Sequence, residues 1–265
     1  MEDKMPVLFV GHGSPMNVMQ DNSFTRSLTE WGESLPRPKA IMMISAHWLT
    51  KGTFVTSMDH PRTIYDFYGF PEELYNITYP SPGAPEMGRH ISEIVHKAPV
   101  FCDQDWGLDH GAWTVLKHLY PKADIPVFQL SLDYSFNDLH PKPLQYHYDL
   151  AEDLAGLRQQ GILVIGSGNI VHNLSLIDFR NVEAEPFEWS VEFDEQVKAN
   201  LLGRNHQELI HLENLGRNAE LAVPTLDHYL PMIYVIALQG RDEPLKFIYE
   251  GFQYKSISMR CFQVG

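Results

Sequence analysis

Short apolar runs recur along the chain, and several are continuous rather than alternating, as in residues 40–45 and 162–165. A continuous apolar run of this length is typical of a strand in a sheet that is covered on both faces. The pattern predicts strands at Pro6–Val10, Ala40–Ser45, Phe54–Thr56, Val100–Cys102, Pro126–Ser131, Ile162–Ile165, Lys246–Tyr249 and Ile257–Gln263.

Helical patterns lie between these strands. Ser23 is a good N-cap, and Pro85 and Glu86 suit the first turn of a helix. The predicted helices are Ser23–Gly32, Pro85–His96, Ala112–Leu119, Lys142–Gln159, Phe187–Leu202 and Pro231–Leu238. Alternating strands and helices predict an α/β fold with a central, mostly parallel or mixed sheet flanked by helices. Because no linker divides the chain, we expect one domain over residues 1–265.

The acidic composition narrows the range of partners. Lysine and arginine number 20 against 34 acidic residues, which gives a net charge of −14. This charge argues against nucleic acid and anionic membranes as partners. The longest apolar run away from the N-terminus, Met232 to Leu238, is far too short to span a bilayer. We expect a cytoplasmic monomer, with Cys102 and Cys261 as buried free thiols.

Five of the 13 histidines stand where a binding crevice is expected. His12 and His47 each follow a predicted strand directly, and His172 lies just beyond the strand 162–165. His110 lies between a strand and a helix, and His228 directly precedes a helix. Ligands of open α/β sheets bind at the ends of the strands. The five side chains are therefore predicted to converge on one site.

The residues around these histidines leave the chemistry of the site open. Gly11, Gly13, Gly166 and Gly168 permit sharp turns that could also hold a phosphate, but no basic residue is adjacent. Neutral imidazoles suit zinc, iron, copper or nickel. No two of the five histidines lie three or four residues apart on one helix, so the spacing alone does not establish a metal site. The other eight histidines are interpreted as surface or core residues, with His140 and His147 expected to be exposed.

Five short motifs occur in the same order in one known family. They are Gly-His-Gly-Ser-Pro-Met-Asn at 11–17, Ser-Ala-His-Trp at 45–48, Asp-His-Gly-Ala-Trp at 109–113, Ser-Gly-Asn-Ile-Val-His-Asn at 167–173 and His-Tyr-Leu-Pro at 228–231. On these motifs the chain resembles the class III extradiol ring-cleavage dioxygenases, most closely the 4,5-DOPA extradiol dioxygenase branch. The resemblance runs from about residue 6 to residue 265.

The resemblance implies a role for each of the five histidines. His12, His47 and His228 match metal ligands, and His172 matches either a fourth ligand or an acid/base histidine. His110 matches a catalytic histidine near the substrate hydroxyl groups. The implied cofactor is one divalent metal per chain, with Fe(II) expected for turnover and zinc expected as isolated. Where many related enzymes have a carboxylate ligand, this chain has His228. Its neighbour Asp227 is left with two interpretations, a partner that orients an imidazole or a helix cap.

The implied reaction opens the ring of a catechol, such as L-DOPA, with O2 to give a seco-DOPA, a muconic semialdehyde. Trp48, Trp113, Tyr229 and the segment Tyr65–Phe70 either line the ring pocket or pack in the core. Arg62 and Lys51 are candidates, by loop position only, for binding an amino-acid carboxylate.

Two other functions remain open at this point. A zinc hydrolase would use the same imidazoles to activate water, with Asp109 as the general base. A non-enzymatic binding protein would keep the histidine-lined cleft without turnover.

Overall fold

The computed structural model describes residues 4–134 and 141–265. Its strands are β1 (Val7–Gly11), β2 (Ala40–Thr50), β3 (Thr53–Thr56), β4 (Val100–Asp103), β5 (Val127–Asp133), β6 (Ile162–Gly168), β7 (Leu245–Tyr249), β8 (Phe252–Gln253), β9 (Ile257–Ser258) and β10 (Cys261–Val264). Its helices are α1 (Ser23–Ser34), α2 (Pro85–Ile94), α3 (His110–Leu119), α4 (Leu144–Glu152), α5 (Glu188–Gly203), α6 (His206–Ile210), α7 (Arg217–Ala222) and α8 (Leu230–Ala237).

Eight of these strands form one mixed sheet in the order β4-β3-β5-β2-β6-β1-β10-β7. The four central strands, β5, β2, β6 and β1, run parallel to one another. Strand β10 pairs antiparallel with β1, β7 pairs antiparallel with β10, and β3 pairs antiparallel with β5. The predicted α/β class, with a mixed central sheet flanked by helices, is confirmed.

The sheet is covered on both faces, as its continuous apolar strands predict. Along β1, Val7 and Phe9 pack in the core that contains α8, whereas Leu8 and Val10 pack in the core that contains α1 and α3. Alternate residues of one strand point to opposite faces, so every position of such a strand must be apolar.

Strand β1 obtains its neighbours from distant parts of the chain. β6 lies on one side of it, and β10 lies on the other, with Phe9 opposite Phe262. Because β1, β6 and β2 are parallel neighbours, their carboxyl ends lie at the same edge of the sheet. This edge carries the candidate site.

The last predicted strand is wrong as a single element. Residues 257–258 pair with β8 in a separate two-stranded sheet, and the large sheet begins again only at Cys261. Between them the guanidinium of Arg260 is buried, where its Nε donates to Asp194 at 3.0 Å. The predicted helix 142–159 is also interrupted, since α4 ends at Glu152 and a 3₁₀ helix spans Ala155–Gln160.

Two expectations about exposure are wrong. Cys102 is exposed on the outer strand β4, whereas Cys261 is buried as predicted. His147 is fully buried, and its Nδ1 lies 3.0 Å from the Tyr234 hydroxyl. The prediction for His140 lies outside the described residues. Among the described residues, no helix combines the length and the apolar character that crossing a membrane requires.

Candidate active site

The five histidines singled out by the sequence converge at the carboxyl edge of the parallel strands. The ring centroids of His12 and His47 are 5.1 Å apart, and those of His12 and His228 are 5.3 Å apart. His110 lies 3.8 Å from His47, and His172 lies 3.4 Å from His228. The predicted convergence is confirmed by the geometry of the side chains.

Three of the five rings are placed by the end of a secondary-structure element. His12 follows β1, and the next residue, Gly13, has φ of 62°, a conformation that favours glycine. His110 is the first residue of α3, and His228 lies two residues before α8. His47 lies inside β2 rather than after it, within the irregularity between Ile44 and Leu49 where the register with β5 shifts. A bulge of this kind redirects a side chain at a functional site.

Gly168 allows the loop bearing His228 to reach the sheet. A Cβ atom at this position would lie 2.2 Å from the carbonyl oxygen of His228, which is much closer than any real contact. The backbone of Asn169 donates to that same carbonyl oxygen at 2.9 Å. This close approach fixes the position of the His228 backbone relative to the end of β6.

The Nδ1 atom of each of three rings is held by a partner outside the cluster. His47 Nδ1 lies 3.2 Å from Asp66 Oδ2, and His228 Nδ1 lies 2.5 Å from Asp227 Oδ2. His12 Nδ1 lies 2.9 Å from Ser167 Oγ.

Two of these contacts fix the tautomer of a ring. The Ser167 hydroxyl donates its only proton to the carbonyl oxygen of Gly111 at 2.6 Å, so it accepts from His12 Nδ1. The Asp227 carboxylate accepts from the Nδ1 atom of His228. The tautomers of His12 and His228 that carry one proton therefore carry it on Nδ1 and leave an unshared electron pair on Nε2, whereas His47 Nδ1 lies at ion-pair distance from Asp66.

The Nε2 atoms of His12 and His47 face each other. They are 3.1 Å apart, within hydrogen-bond distance, and ligand atoms of His12, His47 and His228 all lie within 4.8 Å of one another. A proton on one of these two nitrogens bridges the pair, and a divalent cation that accepts both electron pairs would replace that proton. Burial, together with the charges of the neighbouring histidines, lowers the pKa values of His12 and His47 well below the ordinary value. The residues present therefore fit a divalent metal that binds neutral nitrogen.

His172 is arranged differently from the three other rings around it. It stacks on His228 with an angle of 8° between the ring planes, and its backbone N–H donates to the carbonyl oxygen of Ala222. Burial and the charge of His228 lower the pKa of His172. Its ligand atom groups with those of Asp227 and His228 rather than with those of His12 and His47.

Asp66 is a site residue that the sequence analysis missed. Its carboxylate lies 2.9 Å from His110 Nδ1 and also contacts His47. Burial alone would raise the pKa of Asp66, but the hydrogen bond and the charge of His110 outweigh burial and lower it. No local pattern marks this residue, because it lies in the segment 65–70, which the sequence singled out only for its aromatic residues, as pocket lining or core.

Part of the proposed aromatic wall lies beside the cluster. The ring of Phe67 meets the edge of His110 at 5.6 Å, and Trp113 packs against Tyr65 at 6.0 Å. Tyr229 instead belongs to the core, where its hydroxyl donates to the carbonyl oxygen of Leu209. Trp48 stacks on Trp106 at 5.7 Å.

The two candidate cations are both outside the histidine cluster. Arg62 Nε donates to the carbonyl oxygen of Trp106, and Lys51 is exposed in the turn between β2 and β3. Within residues 4–134 and 141–265, no contact assigns either of them to a substrate carboxylate.

The hydrogen bonds of Asp109 indicate a structural role rather than the activation of water. It caps α3 and accepts from Ser45 Oγ at 2.6 Å and from Gln129 Nε2 at 3.0 Å. Burial, reinforced by the charge of Asp66, raises the pKa of Asp109. With both oxygens occupied by protein donors, this carboxylate does not favour the role of a hydrolase general base.

Asp227 orients an imidazole and does not cap α8, whose N-cap is Tyr229. Burial opposes ionisation of Asp227, but the hydrogen bond from His228 outweighs it and lowers the pKa to about 2. The carboxylate is therefore ionised at neutral pH and holds the Nδ1 proton of His228.

Replacing Asp227 by asparagine should weaken metal binding without unfolding the protein, because the amide accepts less strongly from His228. We expect a fall in metal affinity of about 10–100-fold. Competition with a chromophoric chelator measures it. Asp153→Asn is the matched control, since the Asp153 carboxylate accepts only from the backbone N–H groups of His96 and Lys97. Equal affinities in the two variants would contradict the orienting role.

Comparisons with known proteins agree with this geometry. A family model described as the catalytic LigB subunit of aromatic ring-opening dioxygenase matches residues 6–263. The chain is 44% identical to 4,5-DOPA dioxygenase extradiol of Escherichia coli (strain K12), over 99% of this chain and 95% of that protein. It is 34% identical to the protein of the same name from Beta vulgaris, over 92% of this chain and 90% of the relative.

A solved structure shares the fold. The crystal structure of an uncharacterized protein from Escherichia coli K12 superposes with a TM-score of 0.84 at 41% sequence identity. The match covers 99% of this chain and 100% of that one. The match therefore extends over the sheet and over all five histidines of the cluster.

Proposed function

Because this chain belongs to the LigB family of aromatic ring-opening dioxygenases, we propose that it opens the ring of a catechol, with L-DOPA as the first candidate. The enzyme class, an extradiol ring-cleaving dioxygenase, follows from the family and its named relatives. The proposed products are a seco-DOPA from L-DOPA and a muconic semialdehyde from a simpler catechol. We propose residues 1–265 as one catalytic domain that acts as a cytoplasmic monomer.

The proposed metal ligands are the Nε2 atoms of His12, His47 and His228. Their convergence, with the Nδ1 protons of His12 and His228 held by Ser167 and Asp227, is the observation that carries the proposal. Three neutral imidazoles accept zinc as readily as iron, so zinc is the metal expected in isolated protein. Zinc has no redox chemistry, so we propose Fe(II) for turnover. When bound, Fe(II) supplies the Lewis acidity and the reducing capacity that reaction with O2 requires.

His110 and His172 are proposed to accept protons from the substrate. The Nδ1–H group of His110 donates a hydrogen bond to Asp66, which leaves Nε2 free to accept a proton from a catechol hydroxyl. His172 lies on the other side of the cluster, stacked on His228, and we propose it as the second proton acceptor rather than as a fourth ligand. Both assignments place an imidazole beside the expected position of the ring hydroxyl groups.

The surroundings of the cluster suit a flat aromatic ring. Phe67 and Trp113 form an apolar side next to His110, which excludes water from one face of the bound ring. The substrate hydroxyl groups would then face the metal and the imidazoles. An apolar pocket with a few placed polar groups is typical of a small-molecule site.

Oxygen consumption tests the proposal directly. Apo-protein is loaded with Fe(II) without air and then given L-DOPA and air in an oxygen electrode, while absorbance is followed. We expect one O2 to be consumed for each L-DOPA and a yellow product to form. The same protein loaded with zinc is the control, and it should consume no oxygen.

Two results would contradict the proposal. One is the absence of oxygen uptake with L-DOPA and with simple catechols in protein that holds one iron. The other is proton release without oxygen consumption, which would indicate hydrolysis at the same imidazoles. Catechol binding without any turnover would point to the non-enzymatic function.

A further inference from the structure

One carboxylate holds two histidines with different tasks, and we infer that Asp66 is the positioning residue that fixes His47 and His110 relative to each other. The inference rests on the proposed function, in which His47 binds the metal and His110 accepts a substrate proton. It assigns a role in the reaction to a residue that belongs to neither group.

Asp66 contacts the two histidines at three points. Its Oδ2 lies 2.9 Å from His110 Nδ1 and 3.2 Å from His47 Nδ1. Its Oδ1 accepts from the backbone N–H of His110 at 2.9 Å. Three contacts fix both the position of the carboxylate and the rotation of the His110 ring.

The same contacts act differently on the two rings. An ionised carboxylate only accepts, so His110 Nδ1 is the donor to Asp66, and His110 Nε2 is the ring nitrogen left to accept a proton from substrate. His47 Nδ1 lies at ion-pair distance from the same oxygen, and His47 Nε2 faces His12, where the metal would bind. One anion therefore contacts a proposed ligand and orients a proposed base.

The loop that carries Asp66 is attached to the segment that leads into α3. Ile64 N donates to the carbonyl oxygen of Leu108 at 2.7 Å, and Leu108 N donates to that of Arg62 at 2.8 Å. The indole of Trp113, on α3 itself, donates to the carbonyl oxygen of Ile64 at 2.8 Å. Asp66 and His110 are thus parts of one rigid unit, and the contact with His47 joins that unit to β2.

The place of Asp66 explains how the two rings can be so near each other. The centroids of His47 and His110 are 3.8 Å apart, with the planes inclined by 47°. Both Nδ1 atoms lie beside one carboxylate oxygen of Asp66, whose side chain is 17% exposed. This ionised oxygen accepts from His110 Nδ1 more strongly than a hydroxyl or amide oxygen would.

Three variants test this role. Asp66→Asn keeps the shape and removes the charge, Asp66→Glu keeps the charge, and Asp153→Asn makes the same chemical change on a carboxylate that binds only backbone N–H groups. Each is loaded with one equivalent of Fe(II). Steady-state oxygen uptake gives kcat and KM. Anaerobic binding of 4-nitrocatechol gives a separate readout, because the visible band of this probe shifts when a hydroxyl group loses its proton.

For Asp66→Asn we expect kcat to fall by about 100-fold or more. We expect KM to change by less than threefold. The bound 4-nitrocatechol should lose the absorption of its ionised form, while far-UV circular dichroism and saturation at one iron stay as in the parent. Asp66→Glu should restore the ionised band and part of kcat. Asp153→Asn should match the parent in every readout.

Two outcomes would overturn the inference. In the first, Asp66→Asn keeps the parent kcat and the ionised probe. In the second, Asp66→Asn and Asp66→Glu lose kcat, iron and circular dichroism signal together, as a merely structural residue would. The ring-cleavage proposal fails separately, if the parent binds iron and ionises 4-nitrocatechol but consumes no oxygen. In that case the loss of the ionised band in Asp66→Asn still decides the role of Asp66.

Discussion

Replacing His12 by alanine leaves a folded protein that holds well below one equivalent of metal and has lost its oxygen uptake. The change removes one of three converging Nε2 atoms and creates a gap beside His47 and His228. The sheet is unaffected, because Ser167 keeps its hydrogen bond to Gly111. We expect turnover to fall by about 10³-fold or more, as for the removal of an essential catalytic group. Metal analysis after dialysis and the oxygen electrode measure the two effects.

His47→Ala is expected to behave in the same way. The control is His96→Ala, which removes an exposed imidazole in the segment after α2 that takes no part in the cluster. Circular dichroism checks that each variant is folded. If His12→Ala binds metal as tightly as the parent, the proposed metal site is wrong.

Replacing His110 by alanine should separate metal binding from catalysis. The imidazole lies outside the group formed by His12, His47 and His228, so the variant should retain one metal per chain. It loses the proposed acceptor of the catechol proton, and a positioned general base contributes about 10²–10⁴-fold to a rate. We therefore expect kcat to fall by that factor. Oxygen uptake at saturating iron, with the iron content measured on the same sample, gives the result.

Added imidazole sharpens this experiment. Small imidazole can occupy the space that His110→Ala leaves beside Phe67, and it should restore part of the lost rate. His12→Ala should gain no comparable activity at the same imidazole concentration unless its metal returns. A His110→Ala variant with the rate of the parent would remove this residue from the proposed mechanism.

The sequence predicts the histidines well because their signals are local. His12 and His228 stand next to a strand and a helix whose apolar patterns are plain, and parallel neighbours necessarily bring such positions to one edge. His47 is less well placed by the sequence. The chain looks as if β2 ends before it, whereas the strand continues through a bulge to Thr50.

The partners of the histidines could not be predicted in the same way. Asp66 lies 44 residues from His110 in the chain, and Ser167 lies 155 residues from His12. Contacts over such distances depend on how the loops pack, and an isolated aspartate or serine carries no periodic signal. Asp227 could be suggested only because it adjoins His228. Its choice between two roles required the structure.

The other wrong predictions concern which side chains are buried. His147 lies on α4 in a polar stretch, yet Tyr234 on α8 provides a hydrogen-bond partner inside the core. Cys102 lies in an apolar run, but β4 is the outer strand of the sheet, so its outward face has no covering layer. The alternation of residues along a strand shows which side chains share a face of the sheet. It does not show whether the strand lies at the edge or in the middle of the sheet.

The pairing of β1 with β10 determines when the active site can form during synthesis. The strand that leads to His12 is made first, yet its neighbours are residues 162–168 and 261–264. Until β10 has been synthesised, β1 lacks its neighbour on that side. Contacts so distant in sequence also slow folding. We therefore expect the histidines proposed as metal ligands to reach their final positions only after residues 261–264 have paired with β1, and metal binding to follow that pairing.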